Sequence, residues 1–293
     1  MKHLRPELLP MLELPDKERI KYIKNERWIG YSRAKYVLNR LEELLEHPTT
    51  HRMPNILIVG DTNNGKTVIV NKFEKQYPPR LGEEEDGLVI PVLLIQAPPV
   101  PDEKRFFNNI LDKLVVPYRI NDRVERKQQQ VIHILKKVKL KILVIDEIHH
   151  ILAGSSSRQR SFLNVLKFIS NELQISLVGV GTREALNAIQ TDQQLSNRFE
   201  PLLLPKWHMN EEYLRLLASF ELMIPLKKPS HLTSIIPHNI YDSSFTFEVR
   251  GNIFFKYCCL YNQVFGHTPY QNGLIETYNS LFKRIRQNNF KLD

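Results

Sequence analysis

Cysteine is nearly absent from this 293-residue chain: the two that occur, Cys258 and Cys259, are adjacent. That leaves no disulfide framework and no Cys-x-x-Cys metal spacing, and it fits a reducing compartment. No apolar stretch approaches the roughly 20 residues that span a bilayer. The longest, Leu88 to Val100, is interrupted by prolines and reads as a buried strand. The opening residues Met1-Lys2-His3-Leu4-Arg5-Pro6 lack the apolar region of a signal peptide. A cytoplasmic location with no membrane partner is therefore expected, and no internal repeat is visible. Positive charge is in excess, with a formal net charge of +9. A basic balance favours a polyanionic partner. With 42% hydrophobic and 25% charged residues, the chain reads as soluble and globular, with one or two domains.

Residues 60–67 read Gly60-Asp61-Thr62-Asn63-Asn64-Gly65-Lys66-Thr67, the phosphate-loop pattern G-x-x-x-x-G-K-[ST] in full. Glycines let such a loop curl so that backbone N–H groups face phosphate oxygens. Lys66 reaches β- and γ-phosphates as a mobile charge, and the Thr67 hydroxyl is a Mg²⁺ ligand. The context is right. The apolar run Asn55 to Val59 precedes the loop, and Val68 to Phe73 follows it with helical spacing. ATP and Mg²⁺ are the implied ligands, with Gly60 to Thr67 and Asp146 lining the nucleotide site.

Asp146 and Glu147 close a second motif, Lys139 to Glu147, whose run Ile142 to Ile145 has the unbroken apolarity of a strand buried on both faces. Open α/β sheets bind ligands at the carboxyl ends of their strands. Asp146 is thus placed to hold Mg²⁺, and Glu147 is the natural general base for attack on the γ-phosphate. Strands alternate with helices along the chain. Helices are expected near 16–24, 28–45, 66–76, 102–115, 123–137, 159–172, 183–190, 192–199 and 210–221. Strands are expected at 55–59, 88–95, 142–145, 175–180 and 202–204, with an acidic link at 78–87. The implied fold is α/β, a doubly wound parallel sheet of P-loop type flanked by helices. Residues 1–27 read as an N-terminal arm, 28–230 as the ATPase domain and 231–293 as a separate tail.

The two motifs, with a polar strand end at Gly181-Thr182, resemble an AAA+ ATPase. Longer stretches resemble the TniB family of bacterial transposition ATPases: Asp146 to Ser155, Asn171 to Ala185, Asp192 to Pro201 and Leu204 to Trp207. The likeness runs from about residue 10 to about residue 234. It implies that Thr182 ends the strand beside the Asp146 strand and senses the γ-phosphate; helix N-capping is an equally good reading of the same hydroxyl. It implies that Arg198 is an arginine finger donated to a neighbouring subunit's ATP, the alternative being a surface pair with Glu200. Ile29-Gly30 resembles a segment near adenine. His149 and His150 read as supporting or core histidines.

The resemblance also implies partners: DNA bound without sequence preference, a DDE transposase, and further copies of the chain in a ring or filament. Lys104, Arg105, Arg119 and Arg123 are the candidate phosphate contacts, with Arg126, Lys127, Lys136, Lys137, Lys139 and Lys141 extending the basic stretch. An AAA+ ATPase with another client, such as a helicase loader, and an inactive nucleotide-binding scaffold are the rival readings. The tail departs from the family. It holds nearly half of the aromatic residues and both cysteines, and it lacks the expected helical lid with its Gly-x-x-Gly-Glu-like turn. His267 to Lys283 resembles the end of a DDE integrase catalytic domain, with Glu276 at the last carboxylate position. A recombined or frameshifted remnant, a replaced lid and a chance likeness all remain open.

Overall fold

The computed structural model describes residues 4–227 apart from 26–27, 63, 84–86, 153–154, 191 and 208–209. The aromatic tail, its integrase-like stretch and any lid over the nucleotide lie outside the described residues. Two compact units emerge: Arg33–Pro205, and the described segments on either side of it.

The larger unit is built on five parallel strands: β1 (Asn55–Gly60), β4 (Val92–Gln96), β5 (Ile142–Asp146), β6 (Ser176–Gly181) and β7 (Phe199–Leu204). Their order is β4-β5-β6-β1-β7. Strands β1, β5 and β6 are buried at every position, as the unbroken apolar runs require of central parallel strands. Strand β7 instead alternates between buried and open positions and carries Pro201, which an edge strand tolerates because a missing N–H there costs no ladder bond. Asn55, 1% exposed, ties β1 to β6 by accepting from the Leu177 N–H at 2.8 Å.

Amphipathic helices cover the sheet. Helix α2 (Ser32–Glu46) buries Ala34, Val37, Leu38, Leu41, Leu44 and Leu45, the stripe expected at 3.6-residue periodicity. Helix α3 (Lys66–Gln76) follows the phosphate loop. Helix α4 (Glu103–Lys113) starts at the predicted cap, where Asp102 accepts from the Arg105 N–H. Helix α5 (Val124–Lys137) and helix α6 (Ser156–Leu173) complete the main layer. Phe106 meets Phe162 edge to face at 5.0 Å and 83°, a favourable aromatic geometry. Helix α7 (Arg183–Gln190) and the single-turn α8 (Gln193–Ser196) connect β6 to β7.

Three expectations change. The strand at 88–95 is broken at Pro91, which has no N–H to donate. Its first two residues, β3 (Leu88–Val89), pair antiparallel with β2 (Arg80–Leu81), so the acidic link carries a short hairpin. The helix expected over 192–199 is only α8, and β7 begins at Phe199 rather than Leu202. Asp192 caps α8 by accepting from the Gln194 and Leu195 N–H groups, and Lys167 donates to the same carboxylate at 2.6 Å.

In the smaller unit, a 3-10 segment (Pro6–Glu13) and helix α1 (Asp16–Lys24) join helix α9 (Glu211–Met223). The Arg5 N–H donates to Leu222 O at 3.1 Å. Arg19, fully buried, donates to Pro225 O at 2.9 Å and pairs with Asp16. Tyr31 meets Trp207 edge to face at 4.7 Å. Asn210 caps α9 as expected, accepting from the Tyr213 N–H.

Gly179 shows how tightly the sheet centre is filled. A Cβ there would lie 2.8 Å from Leu57 Cδ1 and 3.0 Å from Ile148 Cδ1. Overpacking of that kind costs about 1–3 kcal/mol. Gly179→Ala is expected to lower the unfolding free energy by that amount in denaturant titration; an unchanged midpoint would contradict the packing described.

Candidate nucleotide site

Strand β1 delivers the chain into the phosphate loop at Gly60, and α3 leads it out from Lys66. At the N-cap, Gly65 has φ 79° and ψ 8°, a left-handed conformation that glycine adopts without strain. Gly65, the N-cap, has no side chain to cap this helix, so the first-turn N–H groups and the positive dipole end at the loop form the kind of arrangement that binds anions. Lys66 is 6% exposed. Its Nζ donates to Gly60 O at 2.8 Å and Asp61 O at 2.7 Å. The third of its three donors can serve a phosphate oxygen. Burial pulls its pKa down, and the carboxylates of Glu147, Asp146 and Asp61 oppose that shift. Asp61 is half-buried and Thr62 exposed; Asn63 lies outside the described residues.

Asn64 has a role the motif alone does not disclose. It is 8% exposed, and its Nδ2 donates to Leu204 O at 2.7 Å and Pro205 O at 3.1 Å. The loop is thereby fastened to the end of β7.

The carboxyl ends of the strands bring the second motif to the first. The Thr67 hydroxyl donates to Asp146 Oδ2 at 2.8 Å. Neighbouring oxygens in an octahedral Mg²⁺ shell at 2.0–2.1 Å stand about 2.9 Å apart, so this pair of hard oxygen ligands fits that ion. Asp146 is 8% exposed. Burial raises its pKa above the ordinary Asp value, although bonds from Thr67 and the Glu147 N–H favour the ionised form. Glu147 follows with φ 55°, a conformation costly for a side-chain-bearing residue and often found at functional sites. Its carboxylate lies 3.2 Å from His149 Nδ1, a contact too poorly aligned to be a hydrogen bond. His149 and His150, both half-buried, sit with ring centroids 4.4 Å apart.

Strand β6 lies between β1 and β5, so Thr182, just after its end, reaches the same edge of the sheet. Its hydroxyl donates to the Glu184 carboxylate, a bond that lowers the Glu184 pKa. Arg198 lies elsewhere. It precedes β7, whose first residue pairs with Asn55 while its last pairs with Gly60. The whole strand, five residue steps or about 17 Å, lies between it and the loop edge. Its Nη1 donates to Asn171 Oδ1 at 2.7 Å. The alternative pairing with Glu200 is not formed, because Glu200 is engaged by Arg40.

A family model for the bacterial TniB protein matches residues 19–209. The chain belongs to the TniB family. It is also 26% identical over 176 residues to the ATP-dependent Clp protease ATP-binding subunit ClpE of Bacillus subtilis (strain 168), covering 56% of this chain and 25% of that protein. The chain thus matches about a quarter of that relative's length. Among solved structures, the Aeropyrum pernix ORC2 protein in its ADPNP-ADP complexes aligns with a TM-score of 0.59 at 15% identity, covering 92% of this chain and 72% of that one. The Aeropyrum pernix ORC1 protein in complex with DNA aligns at 0.57 and 16%, covering 96% and 69%. The fold is that of the AAA+ P-loop ATPases.

Not every basic residue remains a candidate for DNA. Lys127 is fully buried. Its Nζ donates to Asn108 Oδ1 at 2.6 Å and stands over the Tyr118 ring at 4.2 Å, so it is a core residue. Arg105, Arg119 and Arg123 are exposed and Lys104 is half-buried. Arg105 pairs with Asp102 at 3.3 Å, Arg126 with Asp122 at 3.5 Å and Lys136 with Glu172 at 2.7 Å. Such exposed pairs contribute little to stability and open readily for a phosphate.

The raised Asp146 pKa has a stability consequence. Between the unfolded and folded pKa values the native state holds the extra proton, so stability falls as pH rises through that window. At neutral pH the ionised carboxylate carries the full cost. Without nucleotide, Asp146→Asn is expected to melt no lower than the natural chain at pH 7, with any advantage shrinking as pH falls toward the ordinary Asp value and absent below it. A variant clearly less stable at pH 7 would contradict this electrostatic account.

Proposed function

We propose that this chain binds and hydrolyses Mg-ATP and works as an assembled regulator of DNA transposition. The observation that carries the reading is the division of the chemistry between two ends of one sheet. Lys66, Thr67, Asp146, Glu147 and Thr182 gather at the carboxyl edge, whereas Arg198 stands at the amino edge. Lys66 and the loop N–H groups hold the phosphates. Thr67 and Asp146 would hold Mg²⁺, which spreads the charge developing on the transferred phosphoryl group. Glu147 accepts the proton of the attacking water, and Thr182 orients that water or the γ-phosphate.

Arg198 cannot reach the loop of its own chain. It serves ATP only by crossing to a neighbouring copy, where a guanidinium stabilises the transition state. A head-to-tail contact of this kind repeats into a ring or a filament. Membership of the TniB family supports DNA as the surface for assembly and a DDE transposase as the partner. The exposed Arg105, Arg119 and Arg123 supply phosphate contacts that carry no sequence information.

Mixing two inactive variants tests the arrangement. Glu147→Gln removes the base and is expected to lower turnover roughly 10²–10⁴-fold while retaining ATP. Arg198→Ala is expected to lose turnover as well. In a mixture, an Arg198→Ala subunit keeps an intact ATP site that a Glu147→Gln neighbour can complete, so activity is expected to return in part. Additive inactivity at every mixing ratio would refute the shared site.

A further inference from the structure

The phosphate chemistry uses Glu147 but leaves His149 and His150 without a task. We propose that Glu147, His149 and His150 form a second cation site, for a borderline-soft divalent ion of the Zn²⁺ class, and that its occupancy withdraws Glu147 from hydrolysis. The last clause rests on Glu147 being the base; the site itself does not.

One ligand atom from each of the three residues lies within 4.8 Å of the others. His149 Nδ1 and Glu147 Oε2 are 3.2 Å apart. Tetrahedral Zn²⁺ ligands at 2.0–2.1 Å stand about 3.4 Å from one another, so small side-chain rotations bring all three onto one ion. His149 Nδ1 is shielded from solvent and has no hydrogen-bond partner. A shielded ring nitrogen beside a carboxylate that it does not bond is a lone pair or proton without a task, and a shared cation satisfies both groups. The backbone fixes the cluster: the positive φ of Glu147 turns the chain directly into a 3-10 segment beginning at Ile148. Asp146 adjoins the site, and Glu184 acts on His149 electrostatically, so the surroundings are rich in carboxylates.

Ligand chemistry separates this site from the Mg²⁺ position. Thr67 and Asp146 offer only oxygen, which suits Mg²⁺. Two imidazoles and one carboxylate suit Zn²⁺, Co²⁺ or Ni²⁺, and three protein ligands leave one position for water. A carboxylate bound to such an ion is a poor proton acceptor. Nucleotide would stay bound while turnover slows, which would prolong the ATP-loaded assembly.

The test uses Co²⁺ as a visible-absorbing probe on the full chain carrying Cys258→Ser and Cys259→Ser, with excess Mg²⁺ present. One equivalent of Co²⁺ is expected to give ligand-field absorption. His149→Ala and His150→Ala are each expected to weaken binding by roughly tenfold or more. Absence of the absorption, or a titration that neither substitution alters, would overturn the site. Co²⁺ is also expected to slow ATP turnover without displacing nucleotide; binding that leaves turnover unchanged would overturn the withdrawal of Glu147. If Co²⁺ binds through both histidines and ATP is not hydrolysed even without it, the ATPase reading fails and the cation site stands.

Discussion

The hydrogen bond from the Thr67 hydroxyl to the Asp146 carboxylate joins residues 79 positions apart, and the candidate site depends on it. The bond forms because β1, β6 and β5 run parallel in a register that ends Gly60, Gly181 and Asp146 at one edge. The same arrangement is electrostatically costly. Asp146 is buried beside Glu147, and burial raises its pKa. Lys66 is buried too and is pushed the other way. Two opposed, desolvated charges that act on each other are poorly stabilised by water and receptive to phosphate and cation. The site trades stability for readiness to bind, as functional sites commonly do.

The order of strands extends this logic. With β6 between β1 and β5, Thr182 enters the site from a third strand without any further motif. With β7 on the far side of β1, Arg198 enters the sheet from the opposite edge. One chain therefore carries the candidate nucleotide site at one end of the sheet and Arg198 at the other. No helix among the described residues is long and apolar enough to cross a membrane.

Much of this was legible in the sequence because the signals are local. Strand, loop and helix around residues 60–67 adjoin in sequence, and the apolar run before Asp146 marks a central strand. Contacts between distant residues were not legible. Asn64 reads as a variable motif position until its bonds to Leu204 and Pro205 appear. Glu200, two residues from Arg198, pairs instead with Arg40 on α2. Lys127 carried a signal that charge alone obscured: it stands four and eight residues before Val131 and Leu135, on the same buried stripe. Pro91 likewise marked the break between β3 and β4, since it falls between the two and has no N–H to donate to a ladder.

The most direct test of the account is ATP affinity measured with and without Mg²⁺ in the natural chain and in Thr67→Val. Valine keeps the shape of threonine and removes the oxygen. The account predicts that Mg²⁺ strengthens ATP binding in the natural chain and that Thr67→Val loses most of that gain while keeping the Mg²⁺-free affinity set by Lys66 and the loop. A variant whose Mg²⁺ dependence matches that of the natural chain would contradict the claim that Thr67 and Asp146 together hold the ion.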